Sequence, residues 1–395
     1  MPLYRDYYDI ALSVNNQPVD LIPNAFSFSM TDSIHKLFSF GKFYLNDEAG
    51  LLQEYFGTDI GTKVGLQLGT EDFSNSNNYI ITDSELPEVS TSKYLSGTVD
   101  ITLKHEWFNY QYQSSEAYNN RISAVIQTLI GNYPFYDTQI NDTQNGEYWY
   151  KGNRTQSEFI KEVLLPRAYS SNSAGTPYFA FTTNNNEFHF RHLSDMYNKQ
   201  SKGRYRYDPT RTKPGEDVNP LYTVYNISKW NTPMDGKTKK QRNVQKYLLR
   251  NDGILEDKGV ETLPEHIKTV GTIPIMNDRG LINDVYTYYF DSQLNDQGKG
   301  QINNLFRESV FTDQFLLTVP FNPELKSGDK IELEILKQEE GGDGLSERYT
   351  GNYIIEMCTH KWIKERSVGE TDLIVGRGSA VFPSNYLFSQ QGIKV

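Results

Sequence analysis

Few residues of this 395-residue chain stand at spacings that support chemistry. His189 and His192 are three positions apart, which puts them on opposite faces of a strand and works against a shared metal ion. Gly376, Arg377, Gly378 and Ser379 follow a strand-like run as a phosphate loop would. The third glycine and the lysine of such a loop are missing, so a turn is expected there. Lys237, Lys239, Lys240 and Arg242 form a basic cluster in a polar loop, read as a solvated or subunit-contacting surface before a nucleic-acid site. Glu339, Glu340 and Asp343, set among Gly341, Gly342 and Gly344, lack the ligand spacing of a calcium loop and read as a hairpin tip. Cys358, the single cysteine, lies in strand-like sequence where a buried packing role outweighs a nucleophilic one. No catalytic residue, metal ligand or cofactor is expected from these clusters, and the chain reads as a non-enzyme.

Bulk properties narrow the class further. The length suits two to four domains, each with its own core. A mean hydropathy of −0.63 with no long apolar run predicts a soluble chain without stable membrane insertion. Residues Met1 to Val14 alternate polar and apolar positions and read as the start of a strand instead of an export signal. One cysteine excludes a disulfide within the chain and fits folding in a reducing cytosol. With 28 Tyr and 21 Phe the composition favours pleated, half-buried surfaces. A formal net charge of −11 argues against neutralising the phosphates of a tightly held nucleic acid.

The elements that would position these residues are mostly strands. Asp9 to Val14, Asn24 to Met30, Lys42 to Leu45, Lys63 to Leu68, Tyr79 to Thr82 and Thr98 to Leu103 alternate as half-buried strands do, with Asn15, Asn16 and Pro23 in turns. The period then changes. Ile122, Val125, Ile126, Leu129 and Ile130 share one face of a helix that Gly131 can end. A second helix opens on the capping-box pair Thr155 and Glu158, runs through Phe159, Ile160, Val163 and Leu164, and stops before Pro166. Tyr178 to Thr182 and Glu187 to Arg191 flank an asparagine-rich hairpin turn. Ile302, Leu305, Phe306, Ser309 and Val310 suggest a third helix near 301–311, and strands resume at Phe315.

An internal repeat stands out against this background. Gly61, Lys63, Val64 and Leu66 lead after a polar loop to Tyr79 and Ile80. Near the carboxyl end Gly328, Lys330, Ile331 and Leu333 lead likewise to Tyr353 and Ile354. Each glycine falls in the turn before a strand, the branched residues share one face, and a further strand follows at Thr98 and at Thr371. Duplication of one β-barrel is the preferred explanation over convergence on common strand composition.

The chain resembles the central baseplate hub protein of contractile-tailed phages, a family that includes the T-even hub and the amino-terminal part of type VI secretion spike proteins. The resemblance is carried by Phe315 to Val319, Leu325 to Ile335 with its Ser327, Gly328 and Asp329 turn, Gly351 to His360 and Thr371 to Arg377. The helix from Thr155 to Ala168 and the hairpin Phe179 to Phe190 extend it into the middle of the chain, and 251–300 departs from it. The implied fold is a β-rich α+β multidomain chain: a first barrel at 1–107, an α+β domain at 108–208, and a second antiparallel barrel from 209–250 with 311–380. An inserted segment at 251–310 and a tail at 381–395 complete it. The implied function is a homotrimeric ring whose two barrels per chain adapt a threefold spike to a sixfold tail tube in the virion baseplate, assembled in the host cytoplasm. Implied partners are the trimeric spike, tail-tube or tube-initiator proteins, and tape-measure and baseplate wedge proteins. DNA would pass transiently through a lumen whose negative charge repels it over the ~8 Å that salt allows.

Two other classes compete. An aromatic-rich β composition, which can stack sugar rings on Tyr and Trp, would also suit a carbohydrate-binding or cell-wall-degrading tail component. A tube-end adaptor shares the barrel but normally carries one per chain, against which the repeat argues.

Overall fold

In the computed structural model, residues 9–18, 25–46, 60–69, 74–85, 98–144, 146–173, 176–209, 222–229, 243–249, 255–262, 286–289, 313–336, 349–363 and 368–377 are described, with 307, 311 and 346. Strands β1 (Asp9–Val14), β2 (Gln17–Pro18), β3 (Ala25–Ser33), β4 (Phe40–Asn46), β5 (Lys63–Gly69), β6 (Ser74–Glu85) and β7 (Thr98–His105) come first. A middle unit follows with β8 (Ala117–Arg121), helix α1 (Ile122–Ile130), β9 (Asp137–Ile140), β10 (Gly146–Tyr150), helix α2 (Gln156–Glu158), β11 (Tyr178–Thr182), β12 (Glu187–His192) and helix α3 (Leu193–Asn198). Then come β13 (Arg204–Tyr207) and β14 (Asn226–Lys229). A three-stranded sheet of β15 (Asn243–Leu249), β16 (Leu255–Thr262) and β17 (Tyr286–Tyr289) stands apart from them. The last strands are β18 (Asp313–Pro320), β19 (Lys330–Ile335), β20 (Gly351–Ile363) and β21 (Val368–Arg377).

One sheet of thirteen strands holds β1 to β7 together with β13, β14 and β18 to β21. Its first half runs β3-β4-β7-β6-β5-β1 and its second β14-β18-β21-β20-β19-β13, so strands that occur in the same chain order take the same sheet positions. The halves differ at one end, where β1 meets β5 antiparallel and β13 meets β19 in parallel. They join where β3 pairs with β20, Ser33 opposite Met357 through Ser27 opposite Ile363. Each half buries its own apolar side. Leu12, Met30, Phe43, Val64, Leu103 and their neighbours fill the first, to which Phe321 of the second half contributes; Leu317, Ile331, Tyr353, Cys358 and Leu373 belong to the second. The alternation that marks these strands in the sequence is the cause: in β5, Val64, Leu66 and Leu68 turn inward while Lys63 faces water.

The middle unit is α+β. Ile122, Val125, Ile126, Leu129 and Ile130 are all buried on α1, and Gly131 closes it in the right-handed conformation at φ −65°. The capping box at Thr155 and Glu158 is complete. The chain beyond it departs from the expected helix: Phe159–Leu164 winds in the wider i to i+5 form, and Pro166 does not stop it but sits in a tight turn at Leu165–Arg167. Proline is tolerated there because an amide at the start of a turn has no intrahelical acceptor to lose. β11 and β12 form the expected hairpin, with Asn186 at φ +56° in its turn, and β9 adds in parallel to β12. Of the third helix expected near 301–311 only 307 and 311 are described, and the tail at 381–395 lies outside the described residues. Among the described residues no helix is long and apolar enough to cross a membrane.

Candidate functional site

The residues singled out as a repeat fall into two matching ladders. Lys63 lies opposite Ile80 and Val64 opposite Tyr79; Lys330 lies opposite Ile354 and Ile331 opposite Tyr353. Gly61 and Gly328 both hold positive φ, +99° and +80°, a backbone region that glycine enters without the steric penalty of a Cβ. The Gly61 amide donates to the Ile81 carbonyl at 2.8 Å and the Gly328 amide to the Ile355 carbonyl at 2.8 Å. In return the Ile81 amide donates to Thr62 and the Ile355 amide to Asp329. One residue further, the second strand of each ladder slips against its other neighbour, β6 against β7 between Ile81 and Asp83 and β20 against β21 between Ile355 and Met357. Val64, Leu66, Tyr79 and Ile80 are buried, as are Ile331, Leu333, Tyr353 and Ile354. The lysines part company: Lys63 reaches Glu106 at 2.5 Å, whereas Lys330 donates to the Tyr197 carbonyl at 2.7 Å.

Behind the second glycine turn is a buried polar junction where both sheet halves meet the middle unit. Asp32 of β3 is fully buried and accepts from the Ser327 hydroxyl at 2.6 Å, the Ser327 amide at 2.9 Å and the Asn184 amide at 3.0 Å. Asn184, in the β11–β12 turn, accepts in turn from the Tyr79 hydroxyl, and Asn77 bridges Ser39 to the Thr183 carbonyl. Beside it Lys326 donates to Glu187 at 2.6 Å, Glu187 meets His189 Nε2 at 2.9 Å, and Arg191 binds Asp195 while reaching the Gly328 carbonyl. Burial pushes the Asp32 carboxyl up to about 6 against the pull of these three hydrogen bonds. Burial acts on Glu187 in the same upward sense, yet His189 and Lys326 outweigh it and hold the acid below the usual carboxylate range. A desolvated carboxylate that satisfies donors from two other units fixes their relative placement, because removing it strands those donors.

The residues weighed for chemistry are not brought together. His189 sits in this junction, with burial lowering it to about 4. His192 instead caps α3, accepting from the Asp195 amide, and is likewise lowered to about 4 by burial. Among the described residues no group of three His, Cys, Asp or Glu is placed to hold a metal ion. Cys358 Sγ lies 3.6 Å from His360 Nε2, but that nitrogen also faces the Leu325 carbonyl at 3.1 Å, an acceptor that keeps the proton on it. Burial also raises the thiol far above its ordinary value, so the pair is unsuited to form a thiolate. Gly376 and Arg377 end β21, with Arg377 donating to the Thr350 carbonyl, while Gly378 and Ser379 lie outside the described residues. Lys237, Lys239, Lys240, Arg242, Glu339, Glu340, Gly341, Gly342, Asp343 and Gly344 also lie outside them. Trp362 stacks on Phe28 at 5.0 Å where the halves join.

Asp32, Asn184 and Glu187 are the junction residues that sequence reasoning passes over. A signal for Asp32 exists: it shares the parity of Phe28 and Met30 along β3, which puts a carboxylate on the apolar side of its strand. Asn184 reads only as part of the hairpin turn and Glu187 only as the start of its strand, because the partners that place them in the junction, Asp32 and Lys326, are 152 and 139 positions away.

No protein-family model matches the sequence, and no curated protein matches it in sequence. The fold does have counterparts. It is similar to the tail protein from Neisseria meningitidis MC58, with a TM-score of 0.54 at 8% identity over 94% of this chain and 96% of that one. It is also similar to the 43 kDa tail protein of prophage MuSo2 from Shewanella oneidensis, with a TM-score of 0.56 at 8% identity over 96% and 99%. The chain thus has, over nearly its whole length, the fold of these two tail proteins, in line with its resemblance to tail hubs.

Proposed function

We propose that the chain is a structural, non-catalytic hub of a contractile phage tail or related injection machine, located in the virion baseplate. Three copies form a ring in which two barrel-like halves per chain present six similar positions to a sixfold tube and three to a trimeric spike. The observation that carries this reading is the match between the halves in strand order, register and glycine turn. Two similar units per chain convert a threefold assembly into a quasi-sixfold one through repetition of one heterologous contact. The net charge of −11 per chain favours a lumen that DNA traverses without sticking. Tube, tape-measure and wedge proteins are the expected neighbours.

Light scattering of the full chain, alone and mixed with the trimeric spike protein, tests the ring. A mass of three chains alone, or of three chains plus the spike trimer in the mixture, is expected, and a chain that stays monomeric in both samples overturns it. The carbohydrate reading keeps one point in its favour, the exposure of Tyr148 and Tyr150 on β10, at 78% and 64%. Glycan-array binding that Tyr148→Ala abolishes would support that reading instead.

A further inference from the structure

Where the first half of the sheet meets the middle unit, three lysines stand on aromatic rings. Lys36 Nζ lies 4.1 Å from the Phe40 ring centre, and Phe40 is directly opposite Lys104 in the pairing of β4 with β7. Lys104 Nζ is 3.8 Å from the centre of the Phe108 ring and 5.3 Å from that of Phe38. Lys161, from the wide turns at Phe159–Leu164, reaches the same Phe38 ring at 6.0 Å. Among the described residues none of the three has a carboxylate in ion-pair reach, in contrast to Lys42 on Asp100, Lys326 on Glu187 and Lys361 on Asp372. In a chain with 50 acidic and 39 basic residues, such a gathering of positive charge runs against composition. It is also opposed by its own charge. Burial, and after it the charge of Lys161 on Lys104 and of Arg307 on Lys161, lowers both lysines from their ordinary value. A contact between an ammonium group and a ring returns only about 0.5–2 kcal/mol and leaves that repulsion in place.

We infer that this surface docks an acidic segment of a partner protein, with carboxylates at Lys36, Lys104 and Lys161 and an apolar side chain against the exposed side of Phe108. A carboxylate placed among these ammonium groups cancels their repulsion and gains charge-assisted hydrogen bonds that the free chain lacks. Phe108, 39% exposed beside them, supplies the aromatic contact that protein interfaces favour. A single-stranded nucleic acid fits less well. Ammonium groups already cover the Phe38 and Phe40 rings, so bases would find no open stacking platform there, and the net charge of −11 repels phosphates. The surface is complete in one copy of the chain, so the inference stands apart from the ring reading.

Two readouts on the full chain test it. By fluorescence anisotropy, a fluorescein-labelled Glu-rich peptide bearing one Phe should bind at least about tenfold more tightly than its Gln-rich counterpart. Lys104→Gln and Lys161→Gln should each weaken that binding about tenfold, the scale of a lost hydrogen bond to a charged group, while Lys161→Arg keeps it. The thermal midpoint of Lys161→Gln should be no lower than that of the unaltered chain, because a repulsion is removed. A clear drop would mark the lysine as a structural prop and overturn the inference. No preference for the Glu-rich peptide, or binding indifferent to the substitutions, overturns it as well. A DNA oligonucleotide that displaces the peptide and needs the same lysines would assign the surface to nucleic acid instead. Loss of self-association in Lys161→Gln by light scattering would assign it to a second copy, again against the inference. A chain that stays monomeric yet binds the Glu-rich peptide through these lysines would overturn the ring and leave this surface standing.

Discussion

The Ser327 hydroxyl donates to Asp32 at 2.6 Å across 295 positions of sequence, tying the turn before β19 to the strand that opens the first half of the sheet. With the Asn184 amide on its other oxygen, Asp32 touches three parts of the chain at once. It therefore behaves as a fastener between units that have separate cores.

Asp32→Ala leaves the Ser327 and Asn184 donors buried without an acceptor. The expected loss of unfolding free energy is about 1–3 kcal/mol, the usual cost of a buried unsatisfied group. Urea unfolding followed by near-ultraviolet circular dichroism would measure it, and a change below about 0.5 kcal/mol would count against the fastener role.

Acid should destabilise the fold. His189, His192 and His360 have folded values near 4 against an ordinary 6.5, all because burial disfavours their charged forms. The folded chain binds fewer protons than the unfolded chain in that window, so stability is lost as pH falls from about 6.5 to 4. Glu187, held low, adds a loss below its ordinary value, while Asp32, raised to about 6, opposes with a gain as pH falls through that value. His105, lowered to about 3 by burial, and Asp195, held low by Arg191 against its burial, act with these three histidines and Glu187, against the two aspartates that burial raises, Asp32 and Asp329. The histidines set the net sign, and unfolding midpoints at pH 7, 5.5 and 4.5 should decline in that order.

The two glycine turns should respond unequally to alanine. At Gly61 a Cβ would meet nothing within 4 Å, so Gly61→Ala carries only the strain of positive φ, about 1–2 kcal/mol. At Gly328 the same atom would come to 3.0 Å from the Phe181 ring in addition, and Gly328→Ala should cost more. Equal midpoints for the two variants would contradict the packing seen around the second turn.

Thr155→Ala removes a hydroxyl that accepts from the Glu158 amide and so opens the capping box. A loss of about 1 kcal/mol is expected, detectable as a shift in the denaturation midpoint.

Much of the local architecture was legible in advance because it rests on short-range physics. The buried face of α1 follows from its three-and-four spacing, the start of α2 from Thr155 and Glu158, and the β11–β12 turn from its asparagines, one of which takes positive φ. Positions in the sheet were harder. That Arg204–Tyr207 lies parallel to β19, and Asp137–Ile140 parallel to β12, depends on partners far along the chain that periodicity does not name. The same limit hid the junction's partners, since the parity of Asp32 with Phe28 and Met30 marks a carboxylate on the apolar side of β3 but does not name Ser327 and Asn184 as its donors. The wide turns at Phe159–Leu164 share the apolar pattern of an ordinary helix and cannot be told from one by spacing.

The pairing of β3 with β20 also has a cost in time. Ser33 must wait for Met357 before that edge is covered. At translation rates of roughly 5–20 residues per second, the wait lasts on the order of 20 to 60 seconds on the ribosome. Throughout that interval a newly made first half offers a bare strand to every neighbouring nascent chain. Production of this protein in quantity should therefore be governed by chaperone supply and by slower, cooler synthesis more than by the stability of the finished fold.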